Sequence, residues 1–197
     1  MGASRCNRAM ASASRAVVTM SARRERLDAR LDASVAAHSV TLVTGPAGAG
    51  KTSLVASWAL ARSGATAWFT PGTVDNGRVA FWRQVVLAIA ETGATPLLAS
   101  LALPAPSVLD EVLIELFSEL DNLEEPVVLI LDDIHEITDP AVMADLDELL
   151  HAPPDGLRLV LVGRAPPALR LARLRLAGDL GEITSDDLRF SRAEASE

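Results

Sequence analysis

A single lysine, Lys51, stands among seventeen arginines, and it closes the segment Gly45-Pro46-Ala47-Gly48-Ala49-Gly50-Lys51-Thr52. This is a full G-x-x-x-x-G-K-[ST] pattern, placed between a predicted strand and a predicted helix, the context that makes such a pattern meaningful. Its chemistry is phosphate capture. Glycines let the segment from Gly45 through Ser53, in which Pro46 alone lacks a main-chain N–H, turn its successive N–H groups inward around a phosphate chain. The start of the following helix adds partial positive charge. An ammonium at Lys51 can reach the terminal phosphates, and the Thr52 hydroxyl can ligate Mg²⁺.

A metal held there needs an acid at the end of a buried strand. The apolar run Val127–Leu131 leads straight into Asp132 and Asp133. Asp132, at the strand terminus, is the expected metal residue beside Thr52. Asp133 is the candidate to polarise an attacking water, against the alternative that it only opens a loop. His135 has no second His or Cys at metal-ligand spacing and reads as a structural hydrogen-bonding residue. Arg164 follows a predicted strand at Leu157–Val162. In an open parallel sheet ligands sit at the carboxyl ends of the strands, so Arg164 is the expected sensor of the terminal phosphate.

The elements that must position these groups alternate. A short amphipathic helix is predicted from Arg24 through Val35, then a strand at 39–44, a helix from Lys51 to about Arg62, and a strand at Thr66–Thr70. Helical periodicity returns over Val79–Glu91 and over 107–121, the latter opened by Ser107 with Asp110 and Glu111 in its first turn. After the strand Val127–Leu131 come a helix from Asp139-Pro140 to about Leu150 and the strand Leu157–Val162. A proline-broken Arg/Leu helix at 167–176 and a short strand near Glu182–Thr184 complete the pattern. Strands alternating with helices imply crossover connections and a mainly parallel sheet, an α/β fold.

Composition agrees with one folded domain. Of 197 residues 49% are hydrophobic, enough to bury a core. The net charge of −8 argues against direct DNA binding by this stretch. Cys6 has no partner for a disulfide or zinc site. No apolar run is long enough to cross a bilayer, which makes a cytoplasmic location the expectation. Residues 1–22 are Arg- and Ser-rich without an acid, and read as a disordered leader, an upstream translation start or a transit peptide. Charge is segregated. No Lys or Arg lies between Arg83 and Arg158, while fifteen acids fall from Asp110 to Asp155, read as a solvated helix face rather than an acidic partner surface.

From Arg24 onward the chain resembles the nucleotide-binding module of MalT-like, large ATP-binding LuxR-family transcriptional regulators, which are signal-transducing P-loop NTPases of the STAND class. The matching segments are RERLDARL at Arg24–Leu31, GPAGAGKTSLVASWA, Asp75-Asn76 with Phe81-Trp82, LILDDIHEI, and LRLVLVGRAPPALRLARLRLAGDLGEITSDDLRFSRAEA. The resemblance implies a three-layer P-loop NTPase sandwich over 23–190 with sheet order 5-1-4-3-2, and a tail at 191–197 where a lid domain should begin. It implies ATP/ADP with Mg²⁺ as the ligand, Arg24 near the adenine and ribose, Asp132 and Asp133 as the acidic pair, and Arg164 as the sensor. Departures are Gly77-Arg78 where Asp-Pro is usual, Ala80 for an Arg, and Gly163 for the Ser or Thr before the sensor. Such regulators continue into a winged-helix lid, a repeat region and a DNA-binding helix-turn-helix, so the chain reads as a fragment or a stand-alone module, with transcription regulation and signal transduction inherited as family roles. The expected activity is a switch with slow ATP hydrolysis and self-association. The rivals are a small-molecule phosphotransferase with an Arg170-Arg173-Arg175 lid, and a nucleotide-independent interaction module docking through Leu169–Leu176. With Lys51 the sole lysine, the Asn-Lys-x-Asp segment of a GTPase cannot exist.

Overall fold

The computed structural model describes residues 24–72, 77–95 and 106–189. The leader, Arg23, the Asp75-Asn76 pair and the tail lie outside the described residues.

Five apolar segments form the strands β1 (Val40–Thr44), β2 (Thr66–Phe69), β3 (Val127–Leu131), β4 (Leu157–Gly163) and β5 (Leu180–Ile183). All pair in parallel, in the order β2-β3-β4-β1-β5, with Val40 opposite both Leu159 and Leu180, and Val127 opposite Leu157. Read from the other edge this is the expected 5-1-4-3-2 arrangement. Parallel strands require crossovers, and the helices supply them: α1 (Glu25–Ala37), α2 (Lys51–Ala61), α3 (Arg78–Glu91), α4 (Leu109–Asp121), α5 (Pro140–His151) and α6 (Ala172–Ala177).

The unbroken apolar runs of the strands follow from helices on both faces. Leu42, Leu129, Leu131, Leu159 and Leu161 point into a core shared with α3, α4, α5 and α6. Their alternates, Val43, Val128, Ile130, Val160 and Val162, pack beneath α1 and α2 around Leu31 and Trp58. The Trp58 indole N–H, too large to bury unpaired, donates to Asp32 at 2.7 Å.

Three local expectations are corrected. Ser107 does not cap a helix; it lies in a 3-10 turn at Pro106–Val108, and α4 begins at Leu109 with no side-chain cap. That turn delivers the chain into the helix in place of a capping hydroxyl. The helix expected over 167–176 is replaced by α6, which starts only at Ala172, because the Arg170 N–H is taken by the Asp147 carboxylate at 2.7 Å and the Leu171 N–H turns back to the Leu169 carbonyl at 2.8 Å. The last strand starts at Leu180. Gly178, at φ 71°, ends α6 in one left-handed step, and Asp179 then binds the Ser39 N–H at 2.6 Å and the Ser39 hydroxyl, fixing β5 against β1.

Asp139 caps α5 as its sequence suggests, accepting from the N–H of Ala141 at 2.7 Å and of Val142 at 3.3 Å, with Pro140 in the first turn. One glycine is dictated by space alone. A Cβ on Gly156 would overlap the Leu120 carbonyl oxygen and stand 2.9 Å from the Leu123 Cβ. Gly156→Ala is therefore expected to cost about 1–3 kcal/mol, read as a lower denaturant midpoint with an unchanged slope.

Candidate functional site

The end of β1 and the start of α2 build the phosphate loop. Gly48 (φ 78°) and Gly50 (φ 81°) adopt left-handed backbone, and a Cβ at either would meet nothing within 4 Å, so the torsion rather than crowding selects glycine there. The Ala49 N–H closes on the Pro46 carbonyl at 3.2 Å, and the Gly45 N–H reaches the Gly163 carbonyl at 3.3 Å, joining the loop to the end of β4. Pro46, Ala47, Gly48 and Gly50 form an exposed rim, while Ala49 and Ser53 are half-buried. Lys51 is buried to 7% exposure and its Nζ donates to the Pro46 carbonyl at 3.0 Å. The cation is thus held inside the loop by an acceptor far weaker than a phosphate oxygen.

Thr52, one residue into α2, donates its hydroxyl to the Asp132 carboxylate at 3.1 Å, bringing together residues eighty positions apart. Asp132 follows β3 directly and is only 3% exposed. Burial pushes its carboxyl up to about 6, and the neighbouring Asp133 charge adds to this; the Thr52 hydroxyl, the Asp133 N–H at 3.0 Å and Lys51 pull it back. A buried acid under such strain, with a hydroxyl beside it, suits a hard divalent cation. Among the described residues no group of three or more His, Cys, Asp or Glu gathers as a metal cluster.

Asp133 has φ 55° and ψ 41°, the one positive φ outside glycine among the described residues. Asp tolerates this conformation better than most side chains, and it leaves the carboxylate half-exposed at the head of the sheet. His135 lies between two carboxylates, Nδ1 3.7 Å from Asp133 and Nε2 3.3 Å from Glu136. Arg164 is exposed immediately beyond β4. The residue before it has a steric reason to be glycine: a Cβ at Gly163 would come within 3.0 Å of Ile134 Cγ2.

Arg24 is buried and donates to the carbonyls of Leu188 at 2.7 Å and Arg189 at 2.8 Å. The sequence reading missed the clamp that this begins. Arg26 donates to the Asp187 carbonyl at 2.9 Å, and Arg30 to the Asp187 carboxylate and to the Glu182 carbonyl at 3.1 Å. Leu188, so held, is 4% exposed, and a Cβ on Gly45 would lie 3.1 Å from its Cδ1. The available signal was the four-residue spacing of Arg26 and Arg30, which puts both on one helical face.

Residues 19–162 match the family described as AAA ATPase domain. The chain belongs to that family. As an AAA domain it is a nucleotide-binding fold. Among its relatives is the HTH-type transcriptional regulator MalT of Serratia proteamaculans, 34% identical over 177 residues, covering 88% of this chain and 19% of the regulator. The MalT proteins of Klebsiella pneumoniae and Yersinia pestis are 32% and 33% identical over the same coverage. The AAA domain thus spans about a fifth of the length of the relatives it matches. Solved structures share the fold: a Walker-type ATPase of Pyrococcus abyssi has a TM-score of 0.55 at 17% identity, covering 82% of this chain and 53% of its own. The Aeropyrum pernix ORC1 protein, solved in complex with DNA, has a TM-score of 0.51 at 18% identity, covering 81% and 43%. No helix among the described residues is long and apolar enough to cross a membrane.

Proposed function

We propose that this AAA domain is the Mg-ATP-binding switch module of a MalT-like, LuxR-family transcriptional regulator, acting in the cytoplasm and hydrolysing ATP slowly. The observation that carries the reading is the loop with Lys51 inside it and the Thr52–Asp132 pair at 3.1 Å beneath it. The regulatory context rests on the MalT relatives. Direct DNA contact is not assigned to this chain, whose net charge is −8.

In this reading Gly45 and Pro46 line the cradle, the main-chain N–H groups of Ala47 through Ser53 surround the phosphates, and Lys51 exchanges the Pro46 carbonyl for β- and γ-phosphate oxygens. Thr52 and Asp132 would hold Mg²⁺, which when bound would supply positive charge to offset that of the phosphates. Asp133 accepts a hydrogen bond from the water that attacks the γ-phosphorus; the bond from phosphorus to the bridging oxygen breaks and ADP leaves. Arg164 senses the γ-phosphate, and Arg24 supports the adenine side through the segment it clamps. A pair of titrations, ATP and ADP each with and without Mg²⁺, tests this. Binding that depends on neither the metal nor Lys51 would sink it.

Asp132 also carries a stability signature. Its carboxyl binds a proton more tightly folded than at the ordinary value of 3.8, so its contribution to stability is lost as pH rises through about 6. Asp132→Asn is expected to stabilise the nucleotide-free protein by about 1–3 kcal/mol at pH 8 and much less at pH 4.5, while abolishing the Mg²⁺ dependence of ATP binding. Thermal melts at the two pH values check the first part.

A further inference from the structure

Of the docking face expected over Leu169–Leu176, Leu171 and Leu174 are core residues, and Arg170, Arg173 and Arg175 are held by Asp147, the His151 carbonyl and Glu182. The acidic block from Asp110 to Asp155, expected to be a solvated face, is organised otherwise along one stretch of α4. Asp110 shares Arg78 with Asp145. The next two acids, Glu111 and Glu115, form no ion pair among the described residues.

Both line a cavity of about 620 Å³ between α4 and the turn that follows α3. That volume falls in the roughly 300–1,000 Å³ range of small-molecule sites. Glu119 lines it too, so three carboxylates stand on successive turns of one helix, about 6 Å apart along its axis, and the lining holds no cation. Ile114 and Leu123 supply apolar wall between them. A second, independent feature marks the same cavity. Thr95 lines it, is only 1% exposed, and its Oγ1 has no hydrogen-bond partner. A buried hydroxyl without a partner is costly, and a ligand atom in the cavity would satisfy it.

The charge selects a cation, and the arrangement selects its kind. The carboxylates are strung along the helix instead of converging on a point, and no group of three among the described residues is placed to hold a metal ion. We infer that this cavity binds an aliphatic polyamine, with ammonium groups on Glu111 and Glu115, one of them also donating to Thr95 Oγ1, and methylene spacers against Ile114 and Leu123. Charged donors on carboxylates make the stronger class of hydrogen bond, and the apolar wall gives the spacers a surface that a hydrated metal ion would not use. Glu119 adds a third negative charge for a longer amine. The site is separate from the phosphate loop and does not rest on the functional proposal.

Calorimetric titration of the nucleotide-free 197-residue protein with spermidine is expected to show one saturable site per chain. Glu115→Gln is expected to weaken binding about tenfold or more. Glu125→Gln removes the same charge from an exposed residue outside the cavity and is expected to leave binding unchanged. Thr95→Val is expected to weaken binding about fivefold without lowering the thermal midpoint, because the hydroxyl it deletes has no partner to lose. Lys51→Ala is expected to lose nucleotide and keep spermidine, which separates this inference from the functional proposal. No saturable binding, equal effects of Glu115→Gln and Glu125→Gln, or a Thr95→Val variant that binds like wild type or melts lower would each overturn it. So would Mg²⁺ alone saturating the site with the same dependence on Glu115, or a trilysine peptide binding more tightly than spermidine, which would make the occupant a protein segment.

Discussion

Lys51→Ala is expected to weaken ATP binding by at least about 100-fold, or roughly 3 kcal/mol, with little change in folding stability. The side chain is 7% exposed, yet it donates to the Pro46 carbonyl at 3.0 Å, so removal leaves a loop carbonyl at an exposed rim that water can reach. The ligand loses far more. A triphosphate seated in the amide cradle brings several negative charges to a site whose floor is already the acid Asp132, and no other described cation lies inside the loop. Lys51→Arg is expected to recover little, because a planar fork does not occupy the volume of a compact ammonium. Calorimetric titration with Mg-ATP is the direct measurement, with a thermal melt of the free variant as the control for folding. A loss confined to the turnover rate, at unchanged affinity, would contradict the cradle.

Trp82→Ala is expected to be the most destabilising of the simple truncations, at about 3–5 kcal/mol. The indole is 1% exposed, meets Phe81 edge-on at 5.4 Å and Phe117 at 6.0 Å, and donates to Asp145 at 2.7 Å. The same Asp145 oxygen accepts from Arg78 Nε at 2.6 Å, so α3 is riveted to α5 by an apolar wedge and a shared carboxylate. Trp82→Phe separates these contributions: it keeps the wedge and removes the donor, and should cost about 1 kcal/mol because Arg78 still satisfies the acid. Denaturant unfolding of both variants measures the difference. Equal losses would mean that the hydrogen bond, not the packing, carries the position.

Much of this architecture is readable along the chain. VVLIL with two acids after it can only be a doubly covered strand ending in polar groups, and the loop glycines announce the torsions they adopt. What escaped depends on residues distant in sequence. Arg24 is separated by more than 160 positions from the carbonyls it grips, and no local pattern encodes that pairing. The left-handed turn at Asp133 has no composition signature, since Asp is equally at home in ordinary loops. Gly163 has a steric reason to be glycine that is visible only once Ile134 is seen against it. Ser107 has a favoured capping residue type, but the 3-10 turn preceding α4 decides where that helix begins.

The grip of α1 on residues 187–189 has a topological corollary. It seats the first and last described turns of the polypeptide side by side, so whatever is spliced onto Arg189 departs from the doorstep of the phosphate loop. Leu188 lies so near Gly45 that even a methyl group there would stand 3.1 Å from its Cδ1, which puts the last described turn in register with the doorstep without the sheet as intermediary.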